Sequence, residues 1–80
     1  MANGNLNAAV ARLIRARRVE IGLSQEALAH LCGLDRTYIS SLERGHRNVT
    51  LLTIERIIPH LQITTEEFFI RALLTGVDPL

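Results

Sequence analysis

Several features common in larger or secreted proteins are scarce in this chain of 80 residues. It contains one cysteine, Cys32, so no internal disulfide can form and no set of cysteines is available to bind zinc. No apolar run approaches the ~18 residues that a membrane span needs, and no secretory signal is recognisable before the first helix. A single thiol fits a reducing compartment. We therefore expect a soluble cytoplasmic protein with no membrane partner.

The sequence also lacks the residue patterns of common active sites. It contains no Ser, His and Asp set, no paired carboxylate motif, no glycine-rich phosphate loop and no metal-ligand spacing. The histidines His30, His46 and His60 are scattered, and a lone histidine on a small helical domain usually packs or faces solvent. We expect no enzyme activity, no metal and no cofactor.

Lysine is absent, and all nine basic residues are arginine. The formal net charge is only +1, so the total charge does not indicate a nucleic-acid partner and the distribution matters more. The arginines gather in the first helix and around the middle of the chain: Arg12, Arg15, Arg17, Arg18, Arg36, Arg44 and Arg47. Glu66, Glu67 and Asp78 lie near the C-terminus. The first-helix cluster fits either a nucleic-acid surface or an ordinary solvated helix face.

Helical periodicity accounts for the chain, and no segment shows the alternation of a strand. The first helix is predicted from about Asn7 to near Gly22. Residues suited to N-caps precede four later helices: Ser24, Asp35, Thr50 and Thr64. Gly45 is predicted to end the third helix in a left-handed conformation, Pro59 to end or kink the fourth, and the fifth to cover about residues 65–75. The fold class is therefore all-α, with five helices.

Residues 25–44 have the spacing of two helices that cross through a tight turn. Ala29 is the small residue that lets the helices approach, and Gly33 tolerates the positive φ of the turn. Apolar residues at helical spacing face inward: Leu28, Cys32, Leu34, Ile39 and Leu42. Residues that can form hydrogen bonds remain outside: Arg36, Thr37, Ser40, Ser41 and Arg44. This is a helix-turn-helix, which reads DNA in the major groove more often than it serves as a plain scaffold.

A single domain is expected over residues 1–80, with a DNA-binding core at about 7–61. A domain of this size buries only about 60% of its unfolded surface, which favours association with a second copy. The last two helices carry more apolar surface than a small core covers, so we assign four residues to a homodimer interface: Leu51, Leu52, Phe68 and Phe69. Because the two adjacent phenylalanines must point in different directions, we expect one of them to meet the partner. The alternative is that both adjacent phenylalanines complete the core of one subunit.

The chain resembles the Cro and phage-repressor (XRE-type) helix-turn-helix family over residues 10–61. The resemblance rests on Gly22, Leu23, Ser24, Gln25, Leu28, Ala29, Gly33, Ile39, Ser40, Leu42, Glu43, Arg44 and Gly45. Within that family, residues 34–52 are similar to the controller proteins of bacterial restriction-modification systems. The resemblance implies a cytoplasmic homodimer that binds double-stranded DNA at a palindromic operator. It further implies repression of its own promoter and activation of the endonuclease gene together with RNA polymerase.

The same resemblance implies roles for individual side chains. The set that contacts base edges would be Arg36, Thr37, Ser40 and Ser41. The set that contacts DNA phosphates would be Ser24, Gln25, Tyr38, Arg44, Arg47 and Asn48. Tyr38 has the alternative of packing against the first helix. Arg18 and Glu43 would form a structural ion pair.

Two other functions fit the same motif. An antitoxin combines a similar DNA-binding core with direct binding of a toxin protein, and copurification of the toxin from the native cell would identify it. Little chain follows the fifth helix for such a contact, although a toxin can also bind a folded surface. The other alternative is the DNA-binding part of a phage repressor that has lost its effector domain.

Overall fold

The regular elements of the protein are all helical in the region that its computed structural model describes, residues 5–76. The α-helices are α1 (Asn5–Glu20), α2 (Gln25–Cys32), α3 (Arg36–Glu43), α4 (Leu51–Ile57) and α5 (Thr65–Gly76). The predicted all-α fold with five helices is confirmed, with α2 and α3 as the helix-turn-helix. Pro59 lies in a 3-10 turn, Ile58–His60, that follows the end of α4. Asp78, which the sequence analysis grouped with the acidic residues near the C-terminus, lies outside the described residues.

The starts of the helices are set by local hydrogen bonds from side chains. In four cases a side-chain oxygen accepts a hydrogen bond from an amide two or three residues later, at 3.0 or 3.1 Å. The four cap residues are the predicted ones: Ser24, Asp35, Thr50 and Thr64. Each bond satisfies an amide that has no partner inside its helix, which explains why sequence alone located these starts. The bounds of α1 differ from the predicted ones by two residues at each end: the helix begins at Asn5 rather than Asn7 and ends at Glu20 rather than near Gly22.

The hydrophobic core lies between α1, the helix-turn-helix, α4 and α5. Its largest fully buried side chains are Phe68, Ile14, Leu28, Ile39, Leu42, Ile57 and Leu61. Leu28 comes from α2, and Ile39 and Leu42 from α3, so the inward faces of the helix-turn-helix are the predicted ones. Burying those three side chains fixes which faces of α2 and α3 remain outside.

The two adjacent phenylalanines have different environments. Phe68 is 0% exposed and belongs to the core of one subunit. The assignment of Phe68 to a dimer interface is therefore wrong, because a side chain without accessible surface cannot contact a partner. Phe69 is partly exposed and packs against Phe68 edge to face, with ring centroids 5.6 Å apart and planes at 81°. Of the two phenylalanines, only Phe69 remains available to a second subunit.

Arg17 connects α1 to the turn that precedes α5. Its Nε donates to the Leu61 carbonyl oxygen at 2.8 Å, and its Nη2 donates to the Gln62 carbonyl oxygen at 2.6 Å. Gln62 has a φ of 56°, a left-handed conformation that is uncommon for a residue other than glycine. The two bonds hold this turn against α1 and so fix the position of the start of α5 relative to α1.

A buried ion pair connects α1 to α3. Nε and Nη2 of Arg18 donate to the two carboxylate oxygens of Glu43 at 2.7 and 2.9 Å, and Nη1 donates to the Leu23 carbonyl oxygen at 2.8 Å. Gln25 adds a fourth bond, from its Nε2 to Glu43 Oε1 at 3.1 Å. The hydrogen bond with Glu43 raises the pKa of Arg18, so the guanidinium stays charged. These bonds offset the free-energy cost of removing both charged groups from water.

We expect the Arg18→Ala variant to lose about 3–5 kcal/mol of unfolding free energy, because it leaves the Glu43 carboxylate buried without its cation. Urea unfolding followed by circular dichroism measures this loss. The matched control is Arg15→Ala, which removes an exposed arginine from the same helix and should change stability little. An Arg18→Ala variant as stable as the control would contradict the structural role of the pair.

Candidate nucleic-acid interface

The outward face of α3 carries the side chains that the sequence assigned to base contacts. Arg36 and Thr37 are exposed, and Ser40 and Ser41, one turn later, are half-buried. These four positions share one face because residues four apart lie above each other on a helix. The opposite face is buried in the core. α3 therefore presents a guanidinium and three hydroxyl groups on the outside of the protein.

Thr37 takes part in the cap of its own helix. Its hydroxyl donates to Asp35 Oδ1 at 2.6 Å, and its backbone amide donates to the same oxygen at 3.0 Å. The side-chain bond, followed by the backbone bond, lowers the pKa of the Asp35 carboxyl group below its ordinary value. Since the hydroxyl proton is engaged, the Thr37 oxygen is oriented to accept a hydrogen bond, as from an amino group of adenine or cytosine.

Tyr38 lies where α3 meets α4 and the loop after α3. Its hydroxyl is 3.2 Å from Thr53 Oγ1 on α4, and the ring packs against the core. The guanidinium carbon of Arg47 lies 4.9 Å from the centre of the ring, a cation–π contact. The hydroxyl thus contacts Thr53 of α4. One aromatic side chain positions Arg47, a residue assigned to phosphate contact.

The residues assigned to phosphates fall into two groups besides Tyr38. Arg44, Arg47 and Asn48 follow α3 and are exposed. Ser24 and Gln25 are each engaged by one bond inside the chain, as the cap of α2 and as a donor to Glu43. Both keep a donor: the Ser24 hydroxyl accepts its capping bond and can still donate, and the Gln25 amide nitrogen has a second hydrogen.

Asn7 is a residue of the interface that the sequence analysis did not find. Its Oδ1 accepts a hydrogen bond from the Val49 amide at 2.7 Å, and its Nδ2 donates to the Arg47 carbonyl oxygen at 3.2 Å. These bonds fasten the loop with Arg47 and Asn48 to the start of α1. No pattern in the sequence signals a contact between residues so far apart, because both partners in the loop are backbone groups.

Arg56 of α4 is a second residue that the sequence analysis passed over. Its Nη2 donates to the Cys32 carbonyl oxygen at 2.9 Å and to the Gly33 carbonyl oxygen at 3.2 Å. Gly33 occupies the predicted left-handed position between α2 and α3, with a φ of 69°. The guanidinium thus binds the turn of the helix-turn-helix.

Two other kinds of site are missing from the described part of the chain. None of the helices between residues 5 and 76 has the combination of length and apolar character that crossing a membrane requires. Over the same residues, no group of three or more His, Cys, Asp or Glu side chains is placed to hold a metal ion.

Two helices joined by a left-handed glycine, with a polar outward face on the second, define a DNA-binding domain of the helix-turn-helix class. The comparison with known families agrees: the Helix-turn-helix family matches residues 14–68. The chain belongs to this family, whose members are DNA-binding regulators and not enzymes.

Restriction-modification controllers are among the most similar proteins. The chain is 47% identical to the control protein C.MunI of Mycoplasma sp over 58 residues, which cover 72% of this chain and 78% of C.MunI. It is 51% identical to the control protein C.BamHI of Bacillus amyloliquefaciens over 45 residues, 56% of each chain. Among solved structures, the controller C.Esp1396I, a tetramer in complex with its natural 35 base-pair operator, matches with a TM-score of 0.84 and 37% identity. That match covers 91% of this chain and 96% of C.Esp1396I.

The cap of α3 gives a prediction about acid stability. Because the pKa of Asp35 is lowered by folding, its stabilising effect is complete above the ordinary aspartate pKa and is lost as the pH falls through the lower, folded-state value. We expect the melting temperature of the wild-type protein to fall below about pH 4. In Asp35→Asn, which keeps a side-chain acceptor without the charge, part of that fall should disappear.

Thermal unfolding at neutral and acid pH makes the comparison. The Thr37→Val variant removes the hydroxyl donor and keeps the backbone bond to Asp35, so its acid sensitivity should lie between those of the wild type and Asp35→Asn. Equal acid sensitivity in all three proteins would show that this cap has no part in the effect.

Proposed function

We propose that this protein is a restriction-modification controller of the bacterial cytoplasm, which binds a palindromic operator as a homodimer and regulates transcription. The observation that carries the proposal is the polar outward face of α3, on a fold that matches an operator-bound controller at 37% identity. We also propose that it regulates its own gene and that of an endonuclease, with RNA polymerase as its partner in activation, as the resemblance of residues 34–52 to controller proteins implies.

Variants of the solved relative carry substitutions at residue types that match four of the proposed DNA-contacting residues. Crystal structures of C.Esp1396I include variants of an arginine, a threonine and a tyrosine at consecutive positions, and of a second arginine further along. The same residue types occur here in the same order and at the same spacing, as Arg36, Thr37, Tyr38 and Arg47. In this chain the last two are in contact with each other, and the first two begin α3.

Each group of side chains is suited to a different part of the duplex. The Arg36 guanidinium can donate two hydrogen bonds to O6 and N7 of one guanine, a contact that discriminates between bases. Ser40 and Ser41 can donate or accept within the same groove. Arg44, Arg47 and Asn48 are suited to backbone phosphates, which position the protein and carry no sequence information.

The proposed dimer surface lies on α4 and the neighbouring face of α5. Leu51 and Leu52 are 73% and 69% exposed and form an apolar patch of the kind that marks an interaction surface. Two open grooves of about 200 and 240 Å³ adjoin Leu51, and Leu51, Ile54 and Phe69 line both. The occupant we propose is a second copy of the chain, since the solved relative is a tetramer on its operator. A twofold axis there would present two copies of α3 to two half-sites.

Selection from a randomised duplex library tests the proposed function. The wild-type protein should enrich an inverted repeat with half-site centres about 10 bp apart. Arg36→Ala should lose about 1–3 kcal/mol of discrimination at the base pair that Arg36 contacts. The matched control is Arg47→Ala, which should weaken binding to all sequences alike and reduce its salt dependence, with the enriched sequence unchanged.

Two results of the selection would overturn the proposal. One is no enriched sequence for the wild-type protein. The other is binding that disappears as salt is added and shows no sequence preference at any concentration, which is the behaviour of a nonspecific polycation.

The dimer surface gives a separate prediction. Leu52→Arg should convert the dimer into a monomer in sedimentation equilibrium, because two guanidinium groups would meet at a twofold interface. Its operator affinity should fall with the loss of the second half-site. The control is Val19→Arg, at an aliphatic residue of α1 that is 54% exposed and lies at the other end of that helix from Leu6 and Asn7, which line one of the grooves. A dimeric Leu52→Arg protein would place the interface elsewhere.

A further inference from the structure

Arg56 lies on the helix that carries the proposed dimer surface and binds the turn of the helix-turn-helix. It follows Leu52 by one turn of α4, so both side chains lie toward the same side of that helix. Its guanidinium reaches across to the end of α2, where Nη2 binds the carbonyl oxygens of Cys32 and Gly33. One side chain thus connects the part of the protein that would contact a second subunit to the part that would contact DNA.

The carbonyl oxygens of Cys32 and Gly33 give the turn a partial negative charge that favours a cation. The last carbonyl groups of a helix have no amide partners inside it and form the negative end of the helix dipole. Gly33 adopts a φ of 69°, which directs its amide back to the carbonyl oxygens of Ala29 and His30 and leaves its own carbonyl to Arg56. A Cβ atom at position 33 would lie 3.0 Å from Arg56 Nη2. Glycine therefore provides both the conformation of the turn and the space for the guanidinium.

A second bond connects α4 to the recognition helix itself. The Tyr38 hydroxyl on α3 lies 3.2 Å from Thr53 Oγ1 on α4. Arg56 holds α2 and the turn, and Thr53 holds α3, so both helices of the motif are attached to α4. Apolar contacts alone tolerate small rotations of packed helices, whereas hydrogen bonds weaken steeply when their angles change.

We propose that Arg56 is a specificity-determining positioning residue, which fixes the angle between the helix-turn-helix and the dimer surface and thereby sets the half-site spacing that the dimer accepts. The proposal rests on the proposed function, since it concerns an operator-binding dimer. In a twofold dimer a rotation of the motif on α4 occurs in both subunits, so the displacement between the two recognition helices is doubled. A charge-assisted bond at the turn limits that rotation.

The test is binding to inverted repeats whose spacer is lengthened or shortened one base pair at a time. The wild-type protein should prefer one spacing. In Arg56→Met, which keeps the apolar stem of the side chain and removes both bonds, the preference over neighbouring spacings should fall by about three- to tenfold. The sequence preference inside each half-site should not change. Arg56→Lys, which keeps a cationic donor, should lie between the two.

Arg15→Met is the matched control, because it removes the same charge from an exposed position of α1. It should alter affinity equally at every spacing. An Arg56→Met protein with the spacing preference of the wild type overturns the inference and leaves the proposed function intact. A wild-type protein that binds no operator overturns both. If Arg56→Met does not unfold cooperatively, Arg56→Lys decides: a preference lower than that of the wild type supports the proposal, and an equal one overturns it.

Discussion

Arg18 and Glu43 are charged side chains removed from water, and the helix-turn-helix is organised around the bonds that compensate them. The Glu43 carboxylate, at the end of α3, accepts from Arg18 on α1 and from Gln25 at the start of α2. The same guanidinium also binds the Leu23 carbonyl group just before α2. Three helices are thus oriented around one carboxylate. An apolar core tolerates several packings of similar volume, and these directional bonds favour one of them.

The candidate interface includes side chains that are already held in place. Thr37 is bonded to the cap of α3, Gln25 to Glu43, and Arg47 lies against the ring of Tyr38. Asn7 secures the backbone of the loop after α3. Each of the first two keeps hydrogen-bonding capacity that the chain does not use. Side chains immobilised before binding lose less conformational entropy when a partner arrives, so this arrangement favours affinity without adding contacts.

Sequence predicted those features whose causes are local. The caps at Ser24 and Asp35 and the left-handed Gly33 depend on residues within one turn, and the structure has them. The sequence did not show which of Phe68 and Phe69 is buried, because that depends only on how α5 is rotated against the rest of the core. Asn7 and Arg56 bind backbone groups that lie 42 and 24 residues away. Because nearly all residue types have the same backbone groups, such bonds cannot be predicted from residue types. The dependence of the interface on such long-range bonds explains why its supporting residues were missed.

The position of Tyr38 has a consequence for how the molecule can be observed. The chain contains no tryptophan and one tyrosine. That tyrosine lies on α3, with its hydroxyl against Thr53 and a guanidinium over its ring. When the intact, unlabelled protein is excited at wavelengths that tyrosine absorbs and its two phenylalanines do not, the emission therefore originates at a single side chain of the candidate interface. The protein therefore contains an intrinsic fluorophore within the candidate interface.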